Sequence, residues 1–175
     1  MRASLLAAAF SLHEGDAAAA IDSLKRVEIQ DSDFLPEIFP LLIAAYEQTK
    51  DTSGALDYVR YLFQSHGGVS ALLALAELIR KRDGDEQSAA FIAEQLRKKP
   101  SVRGLDRLIA LSVERSSGHA RDNLLVLKEL TTTLLQSKPV YKCRHCGFNA
   151  KALHWHCPGC KTWNSLKPVE GVEGE

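Results

Sequence analysis

The segment EGDAAAAI, residues 14–21, runs from a tight turn into the start of a helix, and the same pattern returns three times along the chain. The later copies are TKDTSGAL (49–56), DGDEQSAA (83–90) and SGHARDNL (117–124). Each copy places one residue at the same turn position, and these residues are Gly15, Lys50, Gly84 and Gly118. The steps between them are 35, 34 and 34 residues. A period of this length is typical of stacked helix pairs.

Apolar residues recur behind each turn at spacings of four and three, which places them on one face of a helix. The shared positions carry Ala20, Ala55 and Ala89; then Leu24, Val59, Ala93 and Leu127; then Val27, Leu62, Leu96 and Leu130. The pattern predicts a mainly α fold, with about four helix pairs over residues 1–137 that form a solenoid by packing on their neighbours. An irregular helical bundle is the alternative.

Helix-capping residues and prolines along the chain agree with this prediction. N-caps for the helix through Ile43 and Tyr46 are available among Asp31, Ser32 and Asp33. Pro100 separates the third and fourth units, and Pro139 ends the last helix.

Composition restricts the function class. The 22 basic and 22 acidic side chains cancel, so no global charge attracts nucleic acid or an anionic membrane. No apolar run approaches the ~18 residues of a membrane span, and the opening MRASLLAAAFSLHEGD is interpreted as an amphipathic helix. A reducing cytosolic compartment is expected. No catalytic motif is found in the helical region, so we expect no enzyme; three histidines near the turns are expected to be solvated, namely His13, His66 and His119.

All four cysteines lie in YKCRHCGFNAKALHWHCPGC, residues 141–160. Two C-x2-C pairs stand ten residues apart, formed by Cys143 with Cys146 and by Cys157 with Cys160. Two such knuckles predict one tetrahedral four-thiolate site, occupied by Zn²⁺ or alternatively by Fe²⁺/Fe³⁺. A closed site of this kind is structural. Substitute ligands are available in His145, His154 and His156, but the four cysteines already fill the tetrahedron.

The cysteines define a small ribbon over residues 138–168, followed by a flexible acidic tail over 169–175. A metal replaces the core that so few residues cannot build. We expect its apolar packing to come from Phe148, Trp155 and Trp163, joined by Tyr141 and Leu153, and we expect the ribbon to dock on the last helices through its tryptophans. The apolar run from Leu5 to Phe10 predicts that a neighbouring repeat or a second chain covers the first helix.

The stretch from Tyr141 to Pro168 resembles the rubredoxin-like module that ends the lipopolysaccharide assembly protein B family. The likeness rests on CGF after the first knuckle, on WHCPxC, on Trp163 and on the closing KP. The preceding repeats resemble the tetratricopeptide repeats that this family places before its module. The resemblance assigns the metal ligands to Cys143, Cys146, Cys157 and Cys160.

The resemblance implies a regulator at the cytoplasmic face of the bacterial inner membrane. Its partners would be a membrane-anchored AAA+ protease and proteins of lipopolysaccharide synthesis or transport, and its effect would be degradation of the deacetylase committed to lipid A synthesis. The family carries a membrane helix and further repeats that this sequence lacks. The chain is therefore interpreted as a C-terminal fragment or a shorter relative. In addition, Lys161 stands where rubredoxins usually carry glycine.

Two other functions stay open. The ribbon holds five basic residues and no acidic one, as in some nucleic-acid-binding ribbons, namely Lys142, Arg144, Lys151, Lys161 and Lys167. A zinc with four thiolates carries about −2, which offsets part of that charge. The second alternative is electron transfer by bound iron.

Overall fold

A computed structural model describes residues 1–172 and 174–175. This part of the chain forms eight α-helices and a three-stranded sheet. The helices are α1 Arg2–His13, α2 Ala17–Gln30, α3 Leu35–Thr49, α4 Thr52–His66, α5 Val69–Asp83, α6 Asp85–Lys98, α7 Val102–Arg115 and α8 Gly118–Ser137. The strands are β1 Tyr141–Cys143, β2 Asn149–Ala150 and β3 Leu166–Pro168.

The predicted fold class, a mainly α chain of tetratricopeptide-like helix pairs with a small ribbon after them, is confirmed. The chain divides into two compact units, Met1–Leu78 and Ile79–Glu175. The division of the sequence into domains after residues 137 and 168 remains a prediction.

The four turn residues of the repeat all have positive φ angles. Their φ angles are 81° at Gly15, 57° at Lys50, 99° at Gly84 and 59° at Gly118. Such left-handed angles cost little for glycine and more for other residues, which explains why glycine stands at three of the four positions. The 34-residue period is therefore the spacing of left-handed turns between helices.

Side chains beside these turns cap the helices. The Asp16 carboxylate accepts a hydrogen bond from the backbone N–H of Ala19 at 3.0 Å, and Asp51 accepts one from Gly54 at 2.8 Å. Asp31 caps a short 3-10 helix, Ser32–Phe34, which leads directly into α3. Each cap satisfies a backbone donor that the first helical turn leaves without a partner.

The first unit has an apolar core between α2, α3 and α4. The shared positions of the repeat are buried here as predicted, including Leu24, Val27, Val59 and Leu62. Phe34 from the 3-10 helix and Ile38 and Leu42 from α3 complete this core, and each is fully buried.

A polar cluster also connects α2 with α4. The Glu28 carboxylate accepts a hydrogen bond from the Tyr58 hydroxyl at 3.0 Å and lies 3.1 Å from Nε2 of His66. His66 is exposed, as expected, and in addition faces a carboxylate on a neighbouring helix.

The amino-terminal helix α1 packs on α2 and α3, with Ala8 buried. Leu6 and Phe10 are 60% and 66% exposed, on the outer side of the helix. What covers this face remains a prediction. Among the described residues, every helix falls short of the length and apolarity needed to cross a membrane.

In the second unit α7 packs on both α6 and α8. The contact between α7 and α8 is polar, because the Asp106 carboxylate of α7 accepts hydrogen bonds from Lys128, Thr131 and Thr132 of α8. Leu127 and Leu130 are 49% and 56% exposed, so the predicted burial of these two repeat positions is wrong. In the fourth repeat, a carboxylate that accepts hydrogen bonds from three side chains stands in place of the predicted apolar contact.

The ribbon is a sheet in the order β2-β1-β3 with both pairs antiparallel. Its core consists of Tyr141, Cys143, Ala150, Cys157 and Leu166, with Leu153 packed beside it. Trp163 is 63% exposed and Phe148 also lies at the surface, so the expected aromatic core is wrong in these two residues. Cys143 and Cys157 take their place in the interior.

The segment after β3 was predicted to be a flexible tail, of which Glu173 lies outside the described residues. The structure instead holds its described residues by hydrogen bonds. The backbone N–H of Val102 donates to the carbonyl of Val172 at 2.8 Å, and Arg103 pairs with Glu175. The tail therefore connects the ribbon to the start of α7. We expected the ribbon to dock on the helices through its tryptophans, and for Trp163 this is not the contact that the structure shows. The ribbon instead contacts the helices through the tail and through Lys151, which donates to the Gln136 carbonyl in α8.

Candidate metal centre

The two cysteine pairs have matching backbone geometry. In the first, the N–H of Gly147 donates to the Cys143 carbonyl at 3.0 Å, and the chain turns back through a φ of 77° at Gly147. In the second, the N–H of Lys161 donates to the Cys157 carbonyl at 3.0 Å, and φ at Lys161 is 61°. Lys161 thus adopts the left-handed conformation that glycine has in the first pair. The second knuckle thus has the same turn as the first, although lysine stands where rubredoxins usually carry glycine.

Pairing beyond each turn fixes the second half of each knuckle. The N–H of Cys143 donates to the Phe148 carbonyl at 2.8 Å, and that of Cys157 donates to the Thr162 carbonyl at 3.1 Å. A bridge between His156 and Trp163 continues the second hairpin. Each C-x2-C therefore lies at the tip of its own short hairpin, and the two tips meet.

The four sulfur atoms lie within 4.8 Å of one another. Sγ of Cys143 is 3.8 Å from that of Cys160, and Sγ of Cys146 is 3.7 Å from that of Cys157. A regular tetrahedron with metal–sulfur bonds of ~2.3 Å has edges of about 3.8 Å. A disulfide would need about 2.05 Å, and all four thiols are free. The four cysteines thus have the arrangement of a one-metal site.

The sulfurs differ in their surroundings. Cys143 and Cys157 are buried, Cys160 is half-buried and Cys146 is exposed. The backbone N–H of Cys146 points to Sγ of Cys143 at 3.5 Å. Two hydroxyls lie against the site: Oγ of Ser165 is 3.2 Å from Sγ of Cys143, and Oγ1 of Thr162 is 3.3 Å from Sγ of Cys160. As thiols, Cys143 and Cys160 donate to these hydroxyl oxygens; as thiolates they would instead accept from the hydroxyls.

Hydrogen bonds lower the pKa of two of the thiols. The Ser165 hydroxyl, followed by the N–H of Cys146, lowers the pKa of Cys143 to about 7. The hydroxyl and backbone N–H of Thr162 lower the pKa of Cys160 to about 5, with a smaller contribution from His145. For Cys146 the N–H of Phe148 favours the thiolate, but desolvation and the three other sulfurs raise its pKa to about 11. The site is thus prepared to lose its first protons near neutral pH, which favours metal binding.

The donor set determines what the site can do chemically. Four thiolates suit zinc or a single iron and leave no open position for water or substrate. One ion would connect the β1–β2 hairpin to the second knuckle, whose Cys157 lies in the ribbon core beside Cys143. Its contribution would be to folding rather than to bond chemistry.

The three ribbon histidines are placed outside the group of four sulfurs. The His156 ring packs against Trp163 with its centroid 4.9 Å away, and His154 is exposed. His145 lies close enough to Cys160 to affect its pKa.

Sequence reasoning missed the two hydroxyl donors. Thr162 and Ser165 follow the second knuckle by two and five residues, on either side of Trp163. The available signal was their closeness to the ligands, since a short return strand must pass next to the site. Which sulfur each hydroxyl would meet depends on the register of β3, which pairs Leu166 with Cys143.

Comparison with known proteins agrees with this geometry. Residues 141–168 match a family model described as the rubredoxin metal binding domain. Lipopolysaccharide assembly protein B of Escherichia coli K12 is 33% identical over 174 residues, which is 99% of this chain and 45% of that protein. The protein of the same name from Haemophilus influenzae is 30% identical over 99% of this chain and 44% of its own length.

The chain spans less than half the length of these relatives. The alignment nevertheless extends through both the helix pairs and the ribbon. The resemblance inferred from the sequence is thereby confirmed: along nearly its whole length this chain is similar to lipopolysaccharide assembly protein B, and its residues 141–168 match the rubredoxin metal binding domain.

Proposed function

We propose that this chain is a non-enzymatic adaptor that acts on lipopolysaccharide biosynthesis through protein partners. The observation that carries the proposal is the convergence of four free thiols in a closed site, within a chain that aligns end to end with lipopolysaccharide assembly protein B. A closed four-thiolate site supports structure rather than turnover. The relatives are named as assembly proteins, which agrees with a role without catalysis.

The metal in this proposal is one zinc ion held by Cys143, Cys146, Cys157 and Cys160. The distances between the sulfurs match its bond lengths, and the hydroxyls of Ser165 and Thr162 stabilise the thiolates. The ribbon, residues 138–168, then folds as a metal-dependent domain after the helical domain, residues 1–137.

The partners in this proposal are those that the family resemblance implies. We place the protein at the cytoplasmic face of the inner membrane, where it would bring the deacetylase committed to lipid A synthesis to a membrane-anchored AAA+ protease. Helix pairs of this type commonly act by presenting surfaces to other proteins. The exposed apolar residues of α8 are one such surface in the second unit.

Capture from cells tests the proposal. Tagged wild-type protein and a Cys157→Ser variant would be purified from the source bacterium, and the captured proteins compared alongside the cellular level of the deacetylase. We expect the wild type alone to retain the protease and the deacetylase, with the deacetylase accumulating in cells that carry only the variant. Equal capture by both proteins would count against a role for the metal-held ribbon.

Metal analysis separates zinc from iron. A colourless protein with one zinc per chain is the expected result. A red protein with one iron and a reversible one-electron couple would instead support the rubredoxin-type electron carrier.

A further inference from the structure

The ribbon carries a groove of about 710 Å³ on the outer face of β1 and β3, lined by three basic residues. Lys142 and Arg144 lie two residues apart along the β1 direction, and Lys167 is the direct cross-strand partner of Lys142. Like charges placed opposite each other in a sheet destabilise it. Lys167 is itself only 9% exposed, so the groove presents positive charge to solvent mainly through Lys142 and Arg144.

One carboxylate already lies at this groove. Glu170 lines it, and its Oε1 is 3.4 Å from a guanidinium nitrogen of Arg144. Both side chains are well exposed, at 57% for Arg144 and 76% for Glu170, so the pair is weak and can exchange. Glu170 belongs to the tail VEGVEGE, whose ionisable residues are all acidic. The tail thus shows, within the same chain, the kind of group that this groove accepts.

We propose that this groove binds an acidic peptide segment of a protein partner, and that Glu170 occupies part of the site until the partner displaces it. The inference rests on the proposed function, because it names the partner chemistry of the metal-held ribbon. Lys142 supplies a charge for one carboxylate, and Arg144 supplies a two-donor fork for another. The backbone around them is held by β1, β3 and the cysteine knuckle, so little ordering is needed on binding.

Binding of a fluorescein-labelled hexaglutamate peptide to the metal-loaded chain, followed by anisotropy, tests the proposal. We expect saturable binding that weakens with added salt. Lys142→Gln and Arg144→Gln should each weaken it about tenfold, as loss of a charge-assisted hydrogen bond does. Glu170→Gln should strengthen binding about two- to fivefold, because it removes a competing exposed ion pair. Lys99→Gln, which alters an exposed lysine outside the groove, is the matched control and should change nothing.

Other outcomes overturn the proposal. Equal loss in Lys99→Gln and Lys142→Gln would show unspecific charge attraction. Competition by inorganic phosphate or oligothymidylate at lower concentration than by unlabelled hexaglutamate would assign the groove to phosphate groups. Loss of metal from Lys142→Gln, with peptide binding unchanged per metal-loaded chain, would show that the basic residues only balance the charge of the metal site. Metal content is measured on every variant, so failure of the groove is distinguished from failure of the metal-held ribbon.

Discussion

At the scale of single residues, Gly147 and Lys161 hold equivalent left-handed positions in the two cysteine knuckles. At Gly147 an added Cβ would meet no atom within 4 Å, so only the backbone conformation opposes a larger residue there. Lys161 already bears this conformational cost. Substitutions at these two positions therefore change the backbone strain of a knuckle without replacing a cysteine.

We expect Gly147→Ala to weaken metal binding about five- to thirtyfold. A non-glycine residue in this conformation costs about 1–2 kcal/mol, and in a metal-dependent fold that cost appears in the affinity. Lys161→Gly is the matched control and should bind at least as tightly as the wild type. Competition with a chromophoric chelator measures both. Equal affinities for wild type and Gly147→Ala would show that the turn adapts without cost.

Ser165 should set the pH at which Cys143 ionises. The serine has one hydroxyl proton, which it donates to the Thr162 carbonyl while Cys143 is a thiol and to the sulfur when it is a thiolate. In Ser165→Ala we expect the pKa of Cys143 to rise from about 7 towards its ordinary value. Because the thiolate is the ligand, metal release should move to higher pH.

Absorbance of the metal-free thiolates during a pH titration measures this shift, and metal retention across the same pH range measures its consequence. Ser137→Ala removes a hydroxyl that donates to the Leu134 carbonyl at the end of α8, and serves as control. An unchanged titration in Ser165→Ala would mean that the serine only fills space.

At the scale of elements, α8 shows where sequence periodicity stops being informative. The first three repeats present one clearly apolar face each, and the sequence predicted their burial at Leu24 and Val59 correctly. In α8 apolar residues lie on most sides, so spacing alone cannot choose the side that packs. The choice is made by Asp106, a residue on another helix, and it buries Thr131.

The metal site was more predictable than the helix packing, because ligand spacing within a knuckle is local. The sequence predicted that the four cysteines come together, and the structure places their sulfurs within 4.8 Å of one another; that they are metal ligands remains a prediction. The predicted burial of Trp163 was wrong. The small interior of the ribbon is filled by Cys143, Cys157 and Leu166 and leaves no room for an indole ring. The sequence also missed the order of the tail, whose partners on α7 lie about seventy residues away in the chain.

Asp106→Asn should loosen α8 from α7. Burial raises the pKa of Asp106, but the hydrogen bonds from Lys128 and Thr131 outweigh it and hold the pKa below its ordinary value. A lowered folded-state pKa stabilises the protein above the unfolded-state pKa, and this stabilisation is lost as pH falls through the folded-state value. We expect a loss of about 1–3 kcal/mol in unfolding free energy at pH 7, shrinking as the pH is lowered into the acid range.

Urea unfolding of the wild type and Asp106→Asn at a series of pH values checks this, with Asp122→Asn on the exposed side of α8 as control. A difference between wild type and Asp106→Asn that stays constant down to strongly acid pH would contradict an electrostatic origin.

At the scale of the whole molecule, the helices and the ribbon draw stability from different sources. The first unit has its own apolar core, with Phe34 and Ile38 fully buried. The ribbon core is small and includes Cys143 and Cys157 themselves. Stability of the ribbon is thus linked to metal concentration, whereas that of the first unit is linked to apolar burial.

Removal of the metal with a chelator should unfold residues 141–168 while most helix remains. The ribbon loses the bonds that replace its core, whereas α1 to α4 keep their own. Circular dichroism and metal analysis during chelation measure the two parts in one sample, and re-addition of zinc should restore the ribbon. Complete loss of helix at the same chelator concentration would show one cooperative unit.

The contact between Val102 and Val172 has a kinetic consequence. It closes a loop of about seventy residues that contains α7, α8 and the ribbon, and contacts of such sequence separation form late in folding because loop closure costs entropy. The tail follows β3, which pairs with β1, so an opened ribbon would no longer position the tail against α7. Hydrogen exchange at the amide of Val102 should therefore speed up whenever the ribbon opens. Val102 lies at the helical end of the loop, so a single amide proton at the start of a helix would report the state of a metal site in another part of the sequence.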